Sequence, residues 1–545
     1  MYDKDGDREM RTRLLLSAIT CFLLLAAAGA YAADVNPGDS IQAAIDAAGD
    51  GATITIASGT YDVAHLAINK PLTLKGETPG DPPKINITSD DGADGVTISA
   101  SNVTLENLWL TRGGHSGYVA VVGVPKGGPW PHYVIVHSDI TLQDCIIEGG
   151  RYGCYVHVNN FTVDGCAFLN SYRDSIVLSA VSGTTSITNT HITGSTTSKK
   201  AILVEGGVEE PFCSGTINIA NNTCVGKRNF LVYNQWGDQS QQIGLSVTHN
   251  SIDQTPGGVV VLYAGYTTAA AGFAKFSSIL IQDNIITNSG TAVKVDYEDY
   301  GGAPAADDRS VPTAGQIAVD NNLCFGNTAD AVDATDATGN YGYTNVAGQT
   351  PSSASMAMFN LSGNLVGDPL YADPSHAGAH PDNFALLIGS PALGTASDST
   401  NIGAWQGGGL NATALDVADV TGARGSSVDL QATLTSGGTP LVGEDVLFYL
   451  EGAYVGTGET DATGLAEVAY AIPVGAATGT QTIRGDFAGG GGYAPASDTG
   501  TLTITEPMVV WVDDDWDGPT NCGGHTWQFD AFDVIQDGIN AVAEG

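Results

Sequence analysis

Basic residues are scarce in this 545-residue sequence, 20 against 59 acidic ones, yet several recur at one kind of place. Arg112, Arg151, Arg173, the pair Lys199 and Lys200, and the pair Lys227 and Arg228 each follow a short segment of alternating apolar and polar residues, in the turn that leaves it. If these turns stack, the cations form a stripe suited to an anionic polymer, because a guanidinium can hold a carboxylate through two parallel hydrogen bonds. A fixed cation also neutralises a uronate carboxylate, and a base beside it can remove the acidified ring proton, which is what β-elimination needs. Arg173 or Lys200 is the candidate for these catalytic tasks, with His157 and Tyr233 as alternatives. On the strand after the turn, alternation puts His157, Ser179, Glu205, Tyr233 and Asp296 outward in one row, with Tyr155, Trp236 and Tyr263 nearby as stacking faces for sugars. Arg112, Arg151, Lys199, Lys227, Arg228, Glu205 and Trp236 are then expected substrate contacts. Solvated turn residues paired with local acids such as Asp174 or Glu148 would give the same placement without a ligand. Hydrolysis would need several carboxylates converging on one glycosidic bond, and no motif of that kind is present, so a lyase is expected ahead of a hydrolase.

The segments that must position these residues are repeats. Copies such as "ITLQDCIIEGG" from Ile140, "INIANNTCVGK" from Ile217, "LSVTHNSIDQT" from Leu245 and "ILIQDNIITNS" from Ile279 share an anchor, found at Leu105, Leu142, Val163, Ile187, Ile219, Val247, Ile281 and Val319. A coil of about 20 residues with insertions of varied length accounts for their spacing. Three residues after each anchor stand Leu108, Cys145, Cys166, Thr190, Asn222, Asn250, Asn284 and Asn322. Two further on stand Leu110, Ile147, Phe168, Ile192, Cys224, Ile252, Ile286 and Cys324. Stacked coils turn the first series into a hydrogen-bonding ladder and the second into an apolar column, both structural. His191 and His249 are expected to be ordinary strand or turn residues.

With these repeats the chain resembles the secreted right-handed parallel β-helix proteins related to pectate lyases. The opening "SIQAAIDAAGDGATITIASGTY" resembles the family's helix and first strand, with Ser40 as cap, Ile41 and Ile45 on the apolar face and Gly49 as the stop. The segments "GDPLYADP", "DNFALLIGSPALGTA" and "NIGAW" resemble its closing stretch. The resemblance implies an all-β fold over residues 33–408 and leaves the chemistry open, since the family includes lyases, hydrolases, epimerases and non-catalytic members. Residues 409–507 resemble a bacterial immunoglobulin-like sandwich of the invasin type, a spacer on surface proteins. Residues 508–545 resemble the start of a second, truncated β-helix, with Ile535, Gln536 and Ile539 echoing Ile41, Gln42 and Ile45.

Residues 1–32 read as a signal peptide, with Arg11 and Arg13 before an apolar run from Leu14 to Ala28 and small residues at the expected cleavage site. Secretion or surface display follows, with no transmembrane segment after cleavage. A formal charge of −39 argues against nucleic acid and anionic membranes, and calcium or life in salt fits it better. The basic stripe is what points to a polysaccharide or a cell-surface glycan as partner, and the protein is expected to be a monomer. Asp513, Asp515 and Asp517 are the candidate calcium ligands, though a solvated acidic turn would look the same. Seven cysteines outside the leader are an odd number, which speaks against a complete disulfide framework. A non-catalytic surface adhesin or display protein is the alternative to a polysaccharide-binding lyase.

Overall fold

A computed structural model describes residues 34–89, 94–114, 117–123, 136–194, 199–206, 213–235, 243–263, 276–296, 317–327, 331–335, 341–345, 359–372 and 384–507, and in the last segment 509–518, 520–523, 525, 527 and 530–542. The leader expected over residues 1–32 lies outside them. The chain winds into coils of three short strands, each hydrogen-bonded in parallel to the equivalent strand of the next coil, and so forms an all-β parallel β-helix. One coil runs through Val103–Glu106 on a first sheet, Trp109–Arg112 on a second and Tyr118–Val122 on a third. The second sheet has 11 strands; the first and third share strands and together have 20. Tyr152–Asp164 and Ile176–Thr188 are single 13-residue strands that bend from the third sheet of one coil into the first sheet of the next.

The anchors pair in register from Leu105 through Leu142, Val163, Ile187, Ile219, Val247 and Ile281 to Val319. The column extends beyond the recognised copies, to Ile54 and Leu74 before them and Leu361 after them. Leu110, Ile147, Phe168, Ile192, Cys224, Ile252, Ile286 and Cys324 pair likewise on the second sheet. Inward residues of all three sheets merge into one core, where each fully buried large side chain contributes about 1.5–3 kcal/mol.

Between the first and second sheets each of the eight recognised copies turns through a left-handed residue: Asn107, Asp144, Asn189, Asn221, His249, Asp283 and Asn321, with Gly165 in the remaining one. Asn and Asp tolerate this conformation, which explains their recurrence one place before the ladder. The ladder follows. Asn250 Nδ2 donates to Ile219 O at 3.0 Å and to Asn284 Oδ1 at 2.9 Å, and its own Oδ1 accepts from Asn222 N at 3.0 Å. Asn284 repeats the pattern with Val247 and Asn322, and Asn322 with Ile281 and Asn364. Asn364 is a rung that the recognised copies did not include. Where the ladder runs through cysteine the thiols reproduce it: Cys166 Sγ donates to Leu142 O and accepts from Cys145 N, both at 3.4 Å.

At one end, helix α1 (Ile41–Ala47) closes the solenoid. Ser40 Oγ accepts from Ala43 N, Ile41 and Ile45 are buried, and Gln42 exchanges two hydrogen bonds with the backbone of Ala67. The helix stops at Ala47, with Ala48 extended, earlier than the expected Gly49. The closing stretch folds back along the Asn-ladder corner. Ser397 Oγ donates to Asp283 Oδ2, Asn321 Nδ2 donates to Thr395 O, and Phe384, Leu386 and Ile402 pack on Ile285 and Leu323. Gly403 (φ +87°) has no room for a side chain, because a Cβ there would stand 2.6 Å from Ile285.

Residues 414–505 form a separate β-sandwich of a four-stranded and a five-stranded sheet over a core that includes Leu430, Leu434, Val446, Phe448, Ile483 and Leu502. After it, Trp511–Val512 pairs with Ala531–Phe532 and helix α2 (Ile535–Ala541) follows. No helix among the described residues is long and apolar enough to cross a membrane.

Candidate functional site

The turns between the second and third sheets stack by backbone hydrogen bonds. Arg151 N donates to Gly117 O, Arg173 N to Arg151 O at 2.8 Å, Lys199 N to Arg173 O at 3.2 Å, and Asn229 N to Lys199 O at 3.1 Å. Arg151, Arg173 and Lys199 therefore lie one above another on three successive coils, and Arg228 adjoins the fourth. Arg151, Lys199 and Arg228 are exposed, and Arg173 and Lys200 are half-buried. The guanidinium carbons of Arg151 and Arg173 sit 5.5 and 5.4 Å from the ring centre of Tyr152, within cation–π range. The Arg173 guanidinium holds Lys199 below the ordinary lysine pKa; partial burial, Lys200 and Arg228 push the same way, and Asp174 opposes them. Like charges crowded to that extent destabilise themselves and favour an incoming anion.

Beside this column, the outer surface of the third sheet carries Tyr118, stacked on Tyr152 at 5.1 Å, and Tyr155, edge-on to Tyr118 at 5.2 Å. Tyr152 and Tyr155 pack on the outward Val177, Leu203 and Val232. The Tyr155 hydroxyl lies 3.0 Å from Ser179 Oγ and donates to Glu205 Oε1 at 3.3 Å. Burial raises the hydroxyl pKa of both Tyr118 and Tyr152. Cations, aromatic faces and one carboxylate thus share a surface that spans several coils.

Several expected site residues fall elsewhere. Arg112 pairs in register with Gly149, not with the column, and is buried with its guanidinium donating to Tyr118 O at 3.0 Å and Ser89 O at 2.9 Å. It is a structural tie and no surface contact. Lys227 is fully buried. Tyr233 was expected outward, but it pairs with Val204 in an inward row that also holds Val156 and Leu178, and burial raises its hydroxyl pKa well above the usual value. The outward Glu205 pairs with Asn234, so Tyr233 stands one place before that row, and one place along a strand is the opposite face. His157 lies 5.0 Å from the Tyr155 ring but is itself buried, and burial lowers its pKa to about 4, so its imidazole is neutral at neutral pH. Ser179, also expected outward, does reach Tyr155 although it is buried. Trp236 lies outside the described residues, as do the side chains of Tyr263 and Asp296. Tyr118 and Tyr152 were missed by sequence reasoning, although Tyr152 directly follows Arg151.

In the last segment, carboxylate oxygens of Asp513, Asp514 and Asp515 lie within 4.8 Å of one another, all exposed. Asp517, the third expected ligand, stands outside this group and accepts from Asn521 Nδ2 at 3.1 Å. An exposed acidic turn of this kind can form without an ion.

The fold places the chain among all-β parallel β-helix proteins. No protein-family model matches the sequence, and no curated protein matches it either.

Proposed function

We propose that the protein is secreted or displayed at the cell surface and binds an acidic polysaccharide along the outer surface of the third sheet. The observation that carries this reading is the stacking of Arg151, Arg173 and Lys199 on successive coils of a chain with a formal charge of −39. Repulsion within the column costs folding free energy, and a bound polyanion relieves it. The tyrosines alongside offer apolar ring faces to pyranoses, and Glu205 offers an acceptor for their hydroxyls. Within the same reading Arg173 neutralises a uronate carboxylate and Lys199, whose amine loses its proton more readily than an ordinary lysine's, serves as the base for β-elimination, with Lys200 adjoining it. The sandwich, taken as immunoglobulin-like, acts as a spacer.

The burial of His157 and Tyr233, two of the four catalytic candidates, favours a second reading in which the surface binds a glycan without cleaving it, as an adhesin would. One experiment separates them. The exported chain is incubated with polygalacturonate and alginate, with and without calcium, while retention on each polymer and the ultraviolet absorbance of unsaturated uronates are recorded. Retention with product supports a lyase, retention alone supports the adhesin, and neither overturns the proposal.

A further inference from the structure

Lys227 lies directly beneath the basic column, with no side-chain surface open to solvent. It belongs to the turn that leads into the third-sheet strand Asn229–Gln235. Its Nζ donates at 3.3 Å to Ser171 O and at 3.3 Å to Arg173 O, more than fifty residues earlier in sequence and two coils away in the stack. The side chain therefore spans from one turn of the column to another and holds the backbone on which Arg173 stands. The charged and titratable groups facing it are few. Asp174, buried in the same turn as Arg173, accepts from Lys200 N through Oδ1, and its Oδ2 has no hydrogen-bond partner among the described residues. Cys224, on the strand just before Lys227, is a buried thiol that in turn feels Asp253 of the next coil. Without a carboxylate in direct contact, burial dominates and lowers the Lys227 pKa to about 8, while Cys224 and Asp174 oppose it.

We propose that Lys227 is a positioning residue and proton switch for the polyanion surface: its buried ammonium ties the turn of Arg173 to that of Arg228, and loss of its proton weakens binding of the acidic polymer. The inference rests on the binding reading given above. A bound polyanion favours the protonated ammonium beneath it. By linkage, affinity is full below the unliganded value and falls as pH rises through it. The charge contributes from below the surface and the tether fixes the geometry, so Lys227 acts without touching the ligand.

The test uses the full chain in a Lys199→Arg background, which removes the other depressed lysine from the titration. Retention on immobilised polygalacturonate is measured from about pH 6.5 to about pH 9.5 at fixed salt. Affinity is expected to fall roughly threefold to tenfold across this range, whereas the added substitution Lys227→Met gives low affinity with no step. Equal affinity and equal slope with Lys227→Met overturn the role of Lys227 and leave the binding reading intact. No retention at the acid end overturns both. Should Lys227→Met fail to fold, the titration of the lysine ε-carbons by NMR in the Lys199→Arg protein decides: the Lys227 midpoint moves upward when polygalacturonate is added, and a stationary midpoint sinks the proposal.

Discussion

Two corners of the same coil put stacking to opposite uses. Between the first and second sheets, Asn222, Asn250, Asn284 and Asn322 pile up inside, and each satisfies the backbone of its neighbour. Between the second and third sheets, Arg151, Arg173 and Lys199 pile up at the surface, where Asp174 offsets part of the charge and Lys199 is still held below its ordinary pKa, by Arg173 first. A solenoid multiplies whatever one coil places at a given position. Inside, multiplication completes hydrogen bonds and stabilises; outside, it concentrates like charge and prepares a surface for a counter-charged polymer.

The largest effect is expected where the inner corner is broken. Asn250→Ala strands the Asn222 amide and the Ile219 carbonyl and should cost about 3–5 kcal/mol, since several buried partners lose their bonds together. Urea denaturation measures it, and a loss no greater than that of a surface alanine substitution would show that the ladder is ornamental. At the outer corner, Arg173→Gln should weaken retention on polygalacturonate roughly tenfold to a hundredfold and leave the urea midpoint unchanged or slightly raised. That opposite sign is the sharpest contrast between the corners.

A smaller effect follows from Lys199. Its folded pKa is depressed, so the unfolded chain holds the proton more tightly and this group's share of stability is gained as pH rises through the lowered value. Polymer affinity moves the other way, because the protonated amine is the one that attracts the anion. Arg173→Gln should return Lys199 toward the ordinary lysine range, which lysine-selective NMR titration reads directly. The smallest change is expected for Cys166→Asn, a swap of similar volume in which Oδ1 replaces Sγ as acceptor from Cys145 N and Nδ2 as donor to Leu142 O. A stability loss of less than about 1.5 kcal/mol would establish that the thiols stand in for amides, and a larger loss would separate them from the ladder.

The repeat columns were legible in the sequence because they depend on local pattern: alternation with period two, a left-handed Asn or Asp at the turn, and a side chain able to bridge coils. Those signals named the anchors, the ladder and the apolar column, and they located the turns in which Arg151, Arg173 and Lys199 meet. Tertiary structure decided which side chains within those turns and strands reach the surface. Arg112, Lys227 and Tyr233 read as surface residues and proved to be buried: the long side chains of Arg112 and Lys227 turn in to backbone carbonyls of other coils, and Tyr233 stands one place before the outward row, which in a strand is the other face. Helices α1 and α2 make the same point. Both begin Ile-Gln and carry a second isoleucine four residues on, yet Ile41 is 1% exposed and Ile535 is 69% exposed. An apolar stripe is written in the sequence, but its burial requires another surface against it, and among the described residues only α1 has a coil beneath its stripe.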